Sequence, residues 1–479
     1  LMSLIIPANS AAASGGYEVD NSCRFDGTSS YLSKTPGSTS NRQKWTYSAW
    51  VKKSNINGLN QKIFEGGVDG NTLTDVLFKT DESFRFYSED AGITKINFVT
   101  NRLFRDPSAW YHIVVAVDTT QGTDTNRVKL YVNGVQETSF ATATYPAVNY
   151  NTIVNYSSAA NVIGRRSAYG DFDFGGYLSE TVLIDGTQLD PTSFGEFDED
   201  SGIWKPISVS GLTFGTNGFY LDFKDSANLG NDASGGTDFT ESGITAIDQT
   251  TDTPTNNFAT WNPLVKTSST VTISEGNTIG TEATNGSYFG IVTNMFPTSG
   301  KWYGEMKFTS LGTVQTGFIT EGTFIDGDRN LYSSSSSLYW QSGTTSISTV
   351  LNSSGVTTVV SGGSNSTSAF NSTNDIIMYA WDVDNGRAWF GINGTWQNSG
   401  NPAGPTNWWS LPSDYAAGVS LFTTLCGCGV GTATVNLNTG NPPFTGTDKT
   451  DGNSRGSFEY QPPDGFLSLC TANLSEALS

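Results

Sequence analysis

A hairpin that ends in Asn-Gly occurs twice in this chain, and it restricts the fold more than any other feature. The first copy is WYHIVVAVDTTQGTDTNRVKLYVNG, residues 110–134. Its two apolar runs, 112–117 and 128–132, are rich in Val and Ile, which suit a pleated, half-buried surface. The polar residues 118–126, Gly122 among them, separate the runs and predict a longer hairpin loop. Asn133-Gly134 closes the second strand, because both residue types tolerate the positive φ of a tight turn. The second copy is MYAWDVDNGRAWFGINGTW, residues 378–396, with turns at Asp384-Asn385-Gly386 and Asn393-Gly394. Each half of the chain is therefore expected to be built around an antiparallel hairpin.

The rest of the chain has the composition such hairpins need. Glycine is abundant (53), charged residues are sparse (15%) and aromatics reach 12%. Short aromatic and β-branched strands between polar turns give this profile, which points to sandwiches or barrels. No long run places apolar residues at helical spacing. A length of 479 residues predicts two or three domains. The expected class is all-β, with two antiparallel β-sandwich domains.

Charge excludes some functions. With 25 basic and 45 acidic residues the net charge is −20, a surface that repels phosphate backbones and anionic lipid. Neither nucleic-acid binding nor membrane insertion is expected, and no apolar stretch is long enough to span a bilayer. Only Leu4, Ile5 and Ile6 precede Pro7, with no basic residue ahead of them, so no signal peptide is expected. Cys23, Cys426, Cys428 and Cys470 are too few and too scattered for a disulfide framework and are expected as free buried thiols.

The chain is expected to divide into an N-terminal arm (1–20), a first sandwich (21–224), a polar linker (225–262) and a second sandwich (263–479). Residues 192–197 are expected as a short helix capped by Thr192. The stretches FDGTSSYL, WTYSAWV, IFEGG, WYHIVVAVD, RVKLYVNG, NVIG and GGYLSETVLIDGTQLDPTSF follow one another over roughly residues 20–200. In this order they resemble the laminin-G-like, concanavalin A-like jelly roll. That resemblance implies two packed antiparallel sheets and carbohydrate or protein binding on one face or rim. GKWYGEMKF, DIIMYAWDVDNGRAWFGINGTW and ATVNLNTGNPPF resemble a SPRY domain, which implies a bent sandwich that binds ligands through loops without catalysis. Together with MSLIIPANS, GTNGFYLDF, TDTPTNNFATWNP and SFEYQPPDGFLSLCTANL, the pair of domains resembles large structural proteins of tailed bacteriophages. This implies a virion component on the particle exterior, made in the host cytoplasm.

Three functions are set against one another. A tail fibre, appendage or surface adhesin that binds host glycan or protein is the main expectation. A capsid decoration or cement protein is the alternative, and a polysaccharide depolymerase ranks behind both. A glycosidase needs two carboxylates flanking the scissile bond. The nearest approach to the E-x-D-x-x-E strand motif of one family with this fold starts at Glu196 and Asp198, but its last position is Ser201. A solvated acidic loop is expected there instead. His112, the one histidine, falls within a strand and is expected to be structural. No phosphate-binding or dinucleotide motif is present, so the chain is expected to be no enzyme and to need no cofactor. Zinc at Cys426 and Cys428 lacks further ligands, and calcium is the more plausible ion, with Asp171 and Asp173 of YGDFDFGG as candidate ligands.

Ligands are expected at aromatic side chains on loops. In the second domain these are Trp408 and Trp409, near the turn that carries Asn393 and Trp396. Neighbours on an extended segment alternate faces, so Trp408 and Trp409 are not both expected to point inward. In the first domain the expected site is the rim loop 165–174, with Arg166, Tyr169 and Asp171. A homo-oligomer is expected, and Leu4, Ile5 and Ile6 are expected to dock on other virion proteins. Each aliphatic is worth roughly 1.5–3 kcal/mol on burial. Deleting residues 2–16 is therefore expected to leave a folded protein that fails to enter particles, scored by its copy number in purified virions.

Overall fold

Both Asn-Gly turns adopt the backbone their residue types allow. Asn133 and Gly134 have φ of +47° and +77°, and Asn393 and Gly394 have +47° and +83°. Each asparagine does more than turn the chain. The Asn133 Oδ1 accepts the His112 N–H at 2.7 Å, and the Asn133 N–H donates to the His112 carbonyl at 2.9 Å. Asn393 repeats this with Ile376, its Oδ1 accepting the Ile376 N–H at 2.9 Å and its own N–H donating to the Ile376 carbonyl at 2.9 Å. The Asn393 Nδ2 also donates to Asp375 at 2.9 Å.

The computed structural model describes residues 16–266, 270–283, 289–321, 336–351, 354–356, 360–361, 365–427 and 431–477. It divides between Asn256 and Asn257 into two compact units. Leu4, Ile5 and Ile6 lie outside the described residues, as does Cys428. Strands dominate, and among the described residues no helix is long and apolar enough to cross a membrane.

The first unit is a jelly-roll sandwich. One sheet runs, in spatial order, Val135–Gln136, Val128–Val132, Trp110–Asp118, Lys44–Lys53, Gly175–Asp185, Ser22–Asp26 and Gln249–Thr250, with Phe219–Leu221 added to Gly175–Asp185. The other runs Phe140–Thr144, Ile93–Leu103, Ser83–Asp90, Thr72–Phe78, Gln61–Asp69, Ala160–Ile163, Tyr31–Lys34 and Thr240–Ser242. Strand alternation puts Trp45, Tyr47, Ala49 and Val51 on the core side, where they meet Phe64 and Phe86 of the facing sheet. Tyr47 stacks on Phe64 at 4.7 Å, and Trp45 meets Phe86 edge-on at 5.8 Å. The opposite side of Lys44–Lys53 is covered too. Trp50 sits there with Trp110, Tyr177 and Trp204 in a second cluster.

Two expectations are corrected in this unit. Residues 225–256 are no linker. Thr240–Ser242 pairs with Tyr31–Lys34, and Gln249–Thr250 pairs with Ser22–Asp26. Within this stretch Asp252 meets the Lys52 ammonium at 2.7 Å with both side chains fully buried, and it accepts the Trp110 Nε1–H at 3.0 Å. Asp232 takes Lys34 at 3.0 Å. The polar composition thus supplies counter-charges for lysines that the strands bury. The short helix expected at 192–197 is instead the 3₁₀ turn Pro191–Ser193, followed by the strand Gly195–Phe197. Its cap is Asp190, whose carboxylate accepts the Thr192 N–H at 3.0 Å.

The second unit, from Asn257 onward, is also an antiparallel sandwich. One sheet runs Trp261–Lys266, Phe289–Thr293, Val419–Cys426, Thr313–Thr320, Ser337–Gln341, Ile347–Leu351 and Ser354–Val356. The other has the backbone order Thr272–Ser274, Ile279–Glu282, Ala433–Asn438, Lys301–Ser310, Ile376–Asp382, Arg387–Ile392 and Thr395–Trp396. Trp302, Phe318, Trp340, Tyr379, Trp381 and Phe390 fill the space between them. Cys23 and Cys470 are free and buried, but Cys426 is disulfide-bonded, against the expectation of free thiols throughout.

Removing one partner of a buried ion pair leaves an uncompensated charge and costs about 3–5 kcal/mol. Asp252→Ala is expected to lower the stability of the first unit by about that much, read from denaturant unfolding. A loss below about 1 kcal/mol, the range typical of a solvated position, would return 225–256 to the status of a linker.

Candidate functional site

The rim loop 165–174 is built as a column of stacked groups. Left-handed φ values at Gly170 (+60°) and Phe172 (+61°) fold it back on itself, and the Arg166 N–H closes it on the Asp171 carbonyl at 2.8 Å. The Arg166 guanidinium then lies between two rings, 5.4 Å from Phe172 and 4.4 Å from Tyr169. Beneath Phe172 stands Lys62 at 5.8 Å. Lys62 is buried, paired with Glu65 and with Asp75 at 2.7 Å. Glu65 in turn accepts the Ser167 N–H at 3.0 Å and its hydroxyl at 2.5 Å, which fastens the loop to the sheet. Such cation–ring contacts are worth about 0.5–2 kcal/mol each and set the ring planes.

The column ends at Tyr169, which is 65% exposed. Its ring lies on the Asp69–Asn71 turn. A Cβ on Gly70 would stand 2.3 Å from that ring, so any larger residue there would displace the ring from this position. The Arg166 Nη2 donates to the Gly70 carbonyl at 3.1 Å, tying the same turn to the column. An exposed aromatic face held by a rigid support is the usual make-up of a binding anchor.

The aspartates of the loop face arginines. Asp171 stands 3.9 Å from Arg166 and Asp173 3.3 Å from Arg165. Burial pushes the Asp173 carboxyl above its usual range, and Arg165 pulls it back. Among the described residues no group of three or more His, Cys, Asp or Glu is gathered as a metal site. Asp171 and Asp173, each beside a guanidinium, offer few free oxygens toward the six to eight a calcium ion takes.

The second-unit candidates separate. Trp409 is fully buried, its ring 5.8 Å from Phe390 and its Nε1–H donating to Asn365 at 3.0 Å, so it is core and not a ligand residue. Asn393 is exposed, but its amide is engaged by Ile376 and Asp375 and serves the turn. Trp408 points the other way, as alternation requires, yet that face is also covered. Arg387 lies over its ring at 4.3 Å, and it packs with Trp389, Phe458 and Phe466. Trp396 is half-buried against Tyr303, ring centres 6.4 Å apart.

The catalytic candidates are engaged as well. The Trp204 indole N–H donates to the His112 Nδ1 at 3.0 Å. Indole nitrogen only donates, so the imidazole proton sits on Nε2 and points at the Ser48 oxygen 2.8 Å away. That tautomer cannot accept the serine proton, so the pair is not set as a nucleophile and its base despite the short distance. Glu196 and Asp198 both hold Lys205, at 3.4 and 3.1 Å. Backbone and hydroxyl donors from Ser201 keep the Asp198 carboxyl well below its usual range, the wrong direction for a general acid.

The sequence reading named Arg166, Tyr169 and Asp171 as candidates but not Phe172, Lys62 or Gly70, which the structure places beside them. The glycine was visible as part of a DGN turn, but no signal linked it to a residue 99 positions away (169 minus 70).

Residues 26–188 match a family model described as the concanavalin A-like lectin/glucanases superfamily, about a third of the chain. This part is a laminin-G-like, concanavalin A-like jelly-roll domain. Solved structures similar to the chain include laminin α1 chain domains LG4-5 from mouse, at 10% identity over 88% of this chain and 89% of that one, with a TM-score of 0.30. A heptameric SAP-like pentraxin from Limulus polyphemus is 18% identical over 36% of this chain and 78% of its own, TM-score 0.28. The SPRY domain of human HERC1 is 14% identical over 37% and 96%, TM-score 0.27. No curated protein matches the chain.

Burial pushes the His112 pKa down to about 3. The unfolded chain therefore takes up a proton below the ordinary value of about 6.5 that the folded chain refuses. The contribution of this group to stability is constant above about pH 6.5 and falls by up to about 1.4 kcal/mol per pH unit between there and pH 3. In nitrogen NMR the ring is expected to stay neutral and Nε2-protonated from pH 8 to pH 5. A ring that titrates near pH 6.5 would refute the assignment.

Proposed function

We propose that this chain is a non-catalytic binding protein whose ligand, a saccharide, docks on Tyr169 of the first unit's rim loop. The observation that carries this reading is the exposed Tyr169 ring on its Arg166–Phe172 support. Sugars stack their C–H faces on aromatic rings, and a ring fixed in advance loses little entropy on binding. The superfamily that residues 26–188 match is one of lectins and glucanases, which agrees with a saccharide as the ligand. The engaged states of His112, Glu196 and Asp198 support a non-catalytic role.

On the resemblance of the whole chain to tailed-bacteriophage structural proteins, we place this binding function on the virion exterior, in a tail fibre, appendage or surface adhesin that contacts host glycan. Immunogold imaging of particles carrying the chain tests the placement. Label at the tail tip supports adhesion, and a regular lattice over the head would replace it with capsid decoration.

An oligosaccharide array read with the full chain tests the site. Tyr169→Ala is expected to weaken binding by at least about tenfold, equivalent to about 1.4 kcal/mol. Trp408→Ala, beneath Arg387, is expected to change it little. Equal loss in both variants, or loss only with Trp408→Ala, would move the site to the second unit.

A further inference from the structure

We propose that the Tyr169 platform selects uncharged, hydroxyl-rich saccharides and rejects anionic ones. This inference rests on the reading of loop 165–174 as the binding site. Its basis is the sign of the charge that the platform shows to solvent. Asp171, whose side chain is 46% exposed, and Tyr169 both approach the Arg166 guanidinium, at 3.9 and 4.4 Å. Asp69, also exposed, belongs to the turn on which the Tyr169 ring rests. The neighbouring cations are withdrawn. The Arg165 and Arg166 side chains are only 18% and 19% exposed. Arg166 is held between two rings and donates to the Gly70 carbonyl, while Arg165 donates to the Gly170 carbonyl.

A ligand arriving on Tyr169 therefore meets carboxylates first. A carboxylate only accepts hydrogen bonds, and sugar hydroxyls donate them. The Asp171 side chain is 46% exposed and open to such a donor. A uronate or sulfate group at the same place supplies a second negative charge and finds no exposed cation. The net charge of −20 adds a longer-range repulsion of polyanions that salt screens.

The test uses the full chain on immobilised oligosaccharides of three kinds: neutral hexose-based, uronate-bearing and sulfated. Neutral oligosaccharides are expected to bind, and the two anionic kinds at least about tenfold more weakly at low salt, with the gap narrowing as salt is added. Asp171→Asn is expected to weaken neutral binding severalfold through loss of charge-assisted hydrogen bonds. Asp171→Lys is expected to narrow or reverse the preference, and Tyr169→Phe, which keeps the ring, to retain it. Unfolding curves matching the wild type show that each variant is folded. Anionic binding equal to or tighter than neutral, and lost in Tyr169→Ala, would overturn the inference while leaving the site in place. Neutral binding that survives Tyr169→Ala would overturn the site itself. Binding to none of the three kinds would overturn both.

Discussion

A single side-chain amide holds the central hairpin of each unit. An Asn-Gly turn by itself joins two strands. Here the asparagine also reaches across to the first strand of the hairpin and takes an N–H near its start, that of His112 in one unit and of Ile376 in the other. The turn and the start of the preceding strand are thereby locked in one register. A slip by one residue would exchange core and outer faces along the whole strand. In the first unit that register sets Ile113, Val115 and Val117 into the core and His112 onto the opposite side, between Trp50 and Trp204.

Charges are few in this chain, and many of them work inside it. Glu305 is fully buried and accepts hydrogen bonds from the Tyr303 hydroxyl, the Asn438 amide and the Glu459 and Tyr460 N–H groups. It holds the C-terminal stretch over the outer face of its sheet, the stretch whose Phe458 and Phe466 belong to the cluster against which Trp408 packs. Burial pushes its pKa up to about 7 against the pull of those donors. In the first unit Glu180 stands on a bulge with φ of +46°, and takes the Tyr220 hydroxyl at 2.9 Å and that of Tyr17 at 3.2 Å. Burial raises it to about 7 as well. In both places a carboxylate fastens a segment with little regular structure to a sheet, where hydrophobic contact alone would specify its position poorly.

The rim loop uses the same means for another end. Lys62, Glu65 and Asp75 form a buried network on the sheet, and Ser167 and Phe172 of the loop rest on it. A loop fixed in this way holds the exposed Tyr169 ring against the Asp69–Asn71 turn. The tryptophans of the second unit, larger and more conspicuous in the sequence, are instead drawn into packing.

The strands, both Asn-Gly turns and the all-β class were legible in the sequence because each rests on local rules: β-branched alternation, and positive φ at Asn and Gly. The candidate loop was legible for a similar reason, since Arg, Tyr and Asp lie together between two strands. What the polar stretch 225–256 does was not, because Asp252 has meaning only beside Lys52, two hundred residues earlier (252 minus 52). Nor was the covering of Trp408. Alternation requires Trp408 and Trp409 to point to opposite faces, but whether the outer face is open depends on a distant segment that Glu305 binds down. Exposure is decided by what packs over a residue, and only the tertiary structure brings that partner to it.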